Sequence, residues 1–195
     1  MGSDVISRKF ALMVDRGELR QCIAWLEEGL RSVRRTPYHR VLGKDFLQHS
    51  ASLAHWLADF RSKSARGGLK LAAIYLEMNG FTINPRQWHC GIFGYKKASG
   101  LCDLDWLAEW DVEQPENFVL RGMESLQEVF GSFYLSGGKT LSLELAEDMA
   151  EHLVTARFME LVAAAHRRAK RRDPGLRGLP VLATAHDWDT VNKTE

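Results

Sequence analysis

Hydrophobic and acidic side chains alternate through residues 103–113. The acidic set is interrupted only at Leu107, and apolar side chains fill the positions between. Because successive side chains of a strand point to opposite faces, the pattern predicts a strand over residues 104–112 with one acidic face and one apolar face. A helix is the competing interpretation, but it would place Asp103 and Asp111 on its apolar side.

Other short apolar runs also have the length and composition of strands. Turn-forming residues bound the runs at residues 70–78 and 87–96, which predicts antiparallel strands there, and residues 179–186 are a β-prone candidate for the same sheet. Residues 4–14 fit neither period cleanly and favour a helix. Apolar residues at helical spacing predict amphipathic helices over residues 18–34, 45–62, 122–134 and 142–171.

Helices therefore precede and follow the strands instead of alternating with them. This order predicts the α+β class, with an antiparallel sheet of three to five strands packed by N-terminal and C-terminal helices. The 195 residues, of which 45% are hydrophobic, are enough to bury the core of one domain spanning residues 1–195, with residues 1–66 as its N-terminal helical part. A wholly helical structure for residues 69–113 is the main alternative.

Cysteine usage favours a reducing compartment, and hydropathy favours a soluble protein. Cys22, Cys90 and Cys102 are far apart and include no Cys-x-x-Cys pair, so they predict neither a disulfide framework nor a cysteine zinc site. No stretch has the length and apolar character of a signal peptide or a transmembrane helix. We therefore expect a soluble, cytoplasmic protein of bacterial type that does not enter a membrane.

Charge is distributed unevenly along the chain. Lys and Arg outnumber Asp and Glu by 13 to 7 in residues 1–70, whereas acidic residues outnumber basic ones by 14 to 6 in residues 71–165. Such asymmetry can steer a charged partner. We therefore hypothesise that the protein binds another protein with a basic surface, as a toxin-neutralising (immunity-like) or regulatory protein does. The expected contact residues are Asp103, Asp105, Glu109, Asp111 and Glu113.

Tryptophans are candidate anchors for such an interface, because large aromatic side chains often provide them. Trp106 and Trp110 fall on the apolar face of the predicted strand, which assigns these two to the core. The candidates are Trp88, Trp106, Trp110 and Trp188.

A hydrolase is the alternative function. Residues 147–152 contain three carboxylates and His152, but they lack the spacing of a zinc-protease helix, and no glycine-rich dinucleotide fingerprint follows a strand. We therefore expect no metal and no cofactor. A hydrolase would instead assemble histidine and carboxylate groups from distant positions, using His186 and Asp187 or carboxylates of residues 103–113. Binding is the preferred interpretation of the two.

A basic run covers residues 167–172, at the end of a predicted helix. Such a run is typical of compensation of the helix dipole. The formal net charge of the whole chain is only +1, which lacks the basicity of most nucleic-acid-binding proteins. Nucleic acid is therefore not the expected partner, and a homo-oligomer stays an open alternative.

Overall fold

The computed structural model describes residues 2–81, 87–133 and 139–194. Within these ranges the chain forms five α-helices and six strands. The helices are α1 (Ser3–Asp15), α2 (Leu19–Ser32), α3 (Ser50–Arg66), α4 (Glu124–Phe133) and α5 (Leu141–Arg172). The strands are β1 (Ala73–Met78), β2 (His89–Tyr95), β3 (Val112–Glu113), β4 (Phe118–Val119), β5 (Val181–Ala185) and β6 (Asn192–Thr194).

The strands form one mixed sheet in the order β3-β2-β1-β5-β6, and β4 also pairs with β2. The pair β1 and β5 is parallel, whereas the other pairs are antiparallel. The predicted α+β class is confirmed, and β1, β2 and β5 confirm the strands predicted at residues 70–78, 87–96 and 179–186. Helices are found at each of the predicted positions, although α3 begins only at Ser50, after a 3-10 turn at Leu47–His49. Residue 134, at the end of one predicted helix, lies outside the described residues.

Helix α5 is the central element of the structure. Of its 32 residues, 15 are buried, and they lie on all sides of the helix because α2, α3 and the sheet pack around it. The hydroxyl of Thr140 caps its first turn by accepting a hydrogen bond from the amide of Leu143. None of the described helices combines the length and the apolar character needed to cross a membrane.

The two faces of the sheet are covered differently. On the inner face, Ile74, Ile92 and Val181 join the main hydrophobic core together with the helices. On the outer face, Tyr75 and Tyr95 belong to a smaller cluster. This second cluster is covered by three partly buried side chains from the segment after β2, namely Leu104, Trp106 and Leu107.

The strand predicted over residues 104–112 is wrong. A 3-10 helix occupies Asp105–Ala108, and only Val112–Glu113 pairs with β2. The carboxylate of Asp103 accepts a hydrogen bond from the amide of Asp105 (3.0 Å), which starts a turn instead of a strand. The hydroxyl of Tyr95 then donates to the carbonyl of Leu107 (2.8 Å) and fixes the helical turn against the sheet.

Strand β3 lies very close to β2 and the end of α3. Gly94 pairs with Val112, and a Cβ atom at position 94 would lie 2.8 Å from side-chain atoms of both Val112 and Leu71. Glycine is therefore required for this close approach. A groove lies beside this contact, between the C-terminal end of α3 and the edge of the sheet.

Candidate functional site

The five carboxylates predicted to contact a partner are all exposed. We call residues 103–116 the acidic segment. The carboxylate of Asp111 accepts a hydrogen bond from the Lys96 amide (2.6 Å) and lies 3.2 Å from the Lys96 ammonium, and these interactions lower its pKa. Asp103 starts the 3-10 turn. These two carboxylates therefore hold the segment in shape.

The remaining predicted contact residues, Asp105, Glu109 and Glu113, project their carboxylates to solvent. Within the described part of the chain, no hydrogen bond or ion pair engages these three side chains. An exposed carboxylate without a partner keeps its full charge available for an incoming cation. The five predicted contact carboxylates therefore divide into two structural ones and three free ones.

Trp110 is exposed in the middle of the acidic segment. It is 45% exposed, so its assignment to the core is wrong. Its ring packs on Phe93 (centroids 4.9 Å apart), and Phe93 in turn packs on Tyr75 (5.9 Å). The indole therefore packs on the sheet through Phe93 while part of the ring remains exposed to solvent.

The other three candidate tryptophans are less exposed than Trp110. Trp88 is fully buried, so it is not an interface anchor. Trp106 is half-buried and donates its indole N–H to the Gly100 carbonyl (3.2 Å). Trp188 is half-buried beside His152. Of the four candidates, Trp110 alone exposes enough of its ring to anchor a partner.

A groove of about 580 Å³ follows the edge of β3. One wall comes from the C-terminal end of α3, and the other comes from the acidic segment. Its apolar lining includes Phe60, Leu69, Val112 and Pro115, and its acidic lining includes Asp111, Glu113 and Glu116. This surface thus joins a concave apolar strip to negative charge.

A second site arises where two acidic clusters of the sequence meet. Asp148, Glu151 and His152 from α5 line a cleft of about 330 Å³ together with Asp187 and Asp189 from the connection between β5 and β6. We call this the carboxylate cleft. Each cluster alone resembles a solvated surface, and sequence reasoning did not anticipate their convergence.

Glu151 is the chemically unusual group of the carboxylate cleft. Burial raises the pKa of its carboxyl group to about 7, and the negative charges of Glu147 and Asp148 contribute. Glu147 itself accepts hydrogen bonds from the Lys139 ammonium (2.6 Å) and the Tyr38 hydroxyl (2.7 Å). Glu151 therefore exchanges a proton near neutral pH, as a general acid or base must.

His152 has a structural role in this cleft. It is buried, and its Nδ1 donates to the backbone carbonyl of Asp148 (2.8 Å). Its ring makes edge contacts with Phe10 (5.1 Å) and Trp188 (4.5 Å). These contacts fix the imidazole in place between α1 and the connection that carries Trp188.

His186 connects the sheet to the carboxylate cleft. Its Nδ1 lies 2.5 Å from a carboxylate oxygen of Glu77, whose other oxygen accepts a hydrogen bond from the Tyr75 hydroxyl (2.8 Å). Its Nε2 lies 3.4 Å from the carboxylate of Asp187, which lines the cleft. Asp187 has a left-handed backbone (φ 63°) that helps to direct its side chain.

The structure thus places His186 beside Asp187, but the closest partner of this histidine is Glu77. Sequence reasoning missed Glu77. The available signal was a single charged residue within an otherwise uncharged run, residues 71–78. A charge in the middle of a buried strand is expected to have a partner.

The acidic segment and the carboxylate cleft contain different residues, and no histidine contacts the carboxylates of residues 103–113 in the described ranges. Among the residues that the structure describes, no group of three or more His, Cys, Asp or Glu side chains is arranged to hold a metal ion.

No family model matches the chain, and comparisons with curated proteins and with solved structures found no match.

Proposed function

We propose that the protein acts by binding another protein that presents a basic surface, with the acidic segment as the contact surface. One observation carries the proposal: Trp110 is exposed beside the free carboxylate of Glu109 and packs on Phe93. Interfaces combine a central aromatic anchor with a polar rim, and hot spots are enriched in tryptophan. A toxin-neutralising or regulatory protein belongs to this class.

The charges and the tryptophan have different tasks in the proposed complex. Asp105, Glu109 and Glu113 attract a basic partner over a distance and accelerate association. Trp110 is desolvated on contact and slows dissociation. The apolar groove beside β3 accommodates a side chain of the partner next to the acidic rim.

Reversing the three free carboxylates tests the steering role. We expect the triple variant Asp105→Lys, Glu109→Lys, Glu113→Lys to associate with a captured partner at least about tenfold more slowly at low salt, and the difference to shrink as salt screens the charges. The partner is obtained by affinity capture from the source cell and mass spectrometry, and association is measured by surface plasmon resonance at several salt concentrations. Asp111 is left unchanged because it holds Lys96.

A matched variant controls for net charge. Asp15, Glu28 and Glu128 are also exposed, and their replacement by lysine changes the charge of the protein equally. A partner retained by this control and by the wild type, but lost or slowed by the acidic-segment variant, supports the proposal. Equal association rates for all three proteins, with the fold intact, refute it.

A hydrolase is the second candidate function, and the carboxylate cleft favours it. In this proposal Glu151, which lines the cleft and has a pKa of about 7, acts as the general acid. His186, which is oriented by Glu77 and lies beside Asp187 of the cleft, acts as the base. We expect any turnover found in a screen of ester, phosphoester and peptide substrates to fall as the pH rises above 7, because Glu151 then loses its proton.

Two substitutions test this second candidate. Glu151→Gln and His186→Asn are each expected to lower such turnover at least about a hundredfold, the size usual for loss of a general acid or base. Glu144→Gln, at an exposed position of the same helix, is the control. Turnover that is unaffected by both substitutions would place the reaction outside the carboxylate cleft. A wild-type protein that is inactive toward all three substrate classes would contradict the hydrolase hypothesis.

A further inference from the structure

A basic groove of about 870 Å³ lies on the surface at the C-terminal half of α5. Its walls come from the N-terminal end of α2, the start of α3, helix α5 and strand β6, so four separate elements build it. Small residues, Ala163 and Ala164, form part of its lining. The basic residues that line it are Arg20, Arg167, Arg168, Arg171 and Lys193.

The arginines of this groove are available to a ligand. Arg20, Arg167, Arg168 and Arg171 are exposed, and within the described ranges none of their guanidinium groups pairs with a carboxylate. Glu160 is the one carboxylate among the lining residues, and it already accepts a hydrogen bond from Arg157 (2.8 Å). The groove therefore has a strong excess of positive charge.

The basic surface continues beyond this groove. A second depression, of about 430 Å³, is lined by Arg167, Lys170, Arg171 and Arg177. Because Arg167 and Arg171 line both depressions, the positive surface extends around the end of α5. A surface of this extent suits a long polyanion better than a single small anion.

Compensation of the helix dipole explains only part of this arrangement. It accounts for basic residues in the last turn of α5, but not for Arg20 and Lys193, which come from α2 and β6. The low net charge of the whole chain does not reduce the positive charge of the groove, because no residue of the acidic segment lines it.

We propose that the basic groove binds double-stranded nucleic acid through its phosphates, without reading the base sequence. Guanidinium groups match phosphate oxygens in a bidentate geometry. None of the described residues that line the two depressions is aromatic, so these residues offer no platform for unpaired bases and no aromatic anchor for a protein. A duplex hides its bases and exposes its phosphates, which fits a groove of this composition.

Fluorescence anisotropy with labelled duplexes of about 20 base pairs tests the proposal. We expect two duplexes of unrelated sequence to bind with equal affinity. If Arg20, Arg167, Arg168 and Arg171 each contact a phosphate, the affinity should fall on the order of 100-fold between about 50 and 200 mM salt, through release of counterions.

The neutral variant Arg168→Gln, Arg171→Gln identifies the groove as the site. We expect it to bind duplex at least about tenfold more weakly at low salt, with the slope of log affinity against log salt reduced by about 2. Glutamine is a good helix former, and a circular dichroism melt confirms that the variant remains folded. The matched control is Arg34→Gln, Arg35→Gln, which removes the same charge from exposed positions beyond the opposite end of α2.

Several outcomes would overturn the proposal. These are the absence of duplex binding at about 50 mM salt, an equal loss of affinity in the control, and unchanged affinity in the groove variant. Tighter binding of single strands, of tripolyphosphate or of polyglutamate than of duplex would assign the groove to a different ligand. Retained binding in the control with loss in the groove variant supports it, whatever the fate of the acidic segment.

Discussion

Replacing Trp88 by alanine is expected to lower the free energy of unfolding by about 3–5 kcal/mol, the usual cost of removing a large aromatic side chain from a core. Trp88 is completely buried immediately before β2. Its ring contacts those of Phe81 (5.6 Å between centroids), Phe130 (5.8 Å) and Phe46 (6.5 Å). The surrounding rings come from three other segments, so the cavity cannot close without moving several elements.

Urea unfolding followed by far-ultraviolet circular dichroism measures this effect, with Trp110→Ala as the comparison. Trp110 is 45% exposed and rests mainly on Phe93, so we expect its loss to cost at most about 1 kcal/mol. Trp88→Phe keeps an aromatic ring in the cluster and is expected to lie between the two. Equal destabilisation by Trp88→Ala and Trp110→Ala would contradict the burial of Trp88 and the exposure of Trp110.

These two tryptophans show how far the sequence could predict the core. Helix periodicity identified α5, because its apolar positions repeat over many turns, but not that the helix is buried on all sides. A single tryptophan carries no such repeat. Trp88 stands between Gln87 and His89, and Trp110 stands between Glu109 and Asp111, so both have polar neighbours in the sequence. Only packing against distant segments decides which of the two is covered.

The acidic segment shows why a clear alternation can still mislead. Strand and helical turn compete over short stretches, and local hydrogen bonds decide between them. At residues 103–113 the Asp103 carboxylate and the Tyr95 hydroxyl favour a helical turn. Leu104, Trp106 and Leu107 cover the outer face of the sheet, although Leu107 was not part of the predicted apolar face. Ala108 and Trp110, which were part of it, are exposed, so the apolar face was predicted only in part.

The candidate sites depend still more on long-range contacts. His186 and Glu77 are brought together because β1 and β5 are parallel neighbours, a pairing that periodicity does not reveal. The carboxylate cleft likewise requires Asp187 and Asp189 to fold back onto the N-terminal half of α5. Each cluster was visible in the sequence, but their proximity was not.

The carboxylate cleft leads to the second large effect. The variant Glu151→Gln is expected to be more stable than the wild type above pH 7, by about 3 kcal/mol, and nearly equal to it below about pH 4.5. The pKa of Glu151 is raised from 4.5 to about 7 by burial and then by Glu147 and Asp148. The folded protein therefore retains a proton that the unfolded chain releases between these two values.

The sign of the effect follows from this difference in proton binding. Below pH 4.5 the carboxyl group is protonated in both states, so its charge costs nothing and glutamine brings no electrostatic gain. As the pH rises toward 7, the unfolded chain ionises first and becomes relatively more stable, until above 7 the folded protein must hold a full negative charge at a partly buried position. Glutamine occupies the same volume without that charge.

Urea denaturation of the wild type and of Glu151→Gln at several pH values between 4 and 8 measures the difference. Lys139 offsets part of the electrostatic repulsion at Glu151. A control must therefore show that the stability gain does not come simply from removing one negative charge from α5. Glu144→Gln removes one negative charge from an exposed position of α5 and serves that purpose. A stability gain that rises with pH in Glu151→Gln alone identifies burial of the carboxylate as its cause, whereas a gain that is independent of pH, or equal in the control, would show that Glu151 is not held in a charge-excluding cleft.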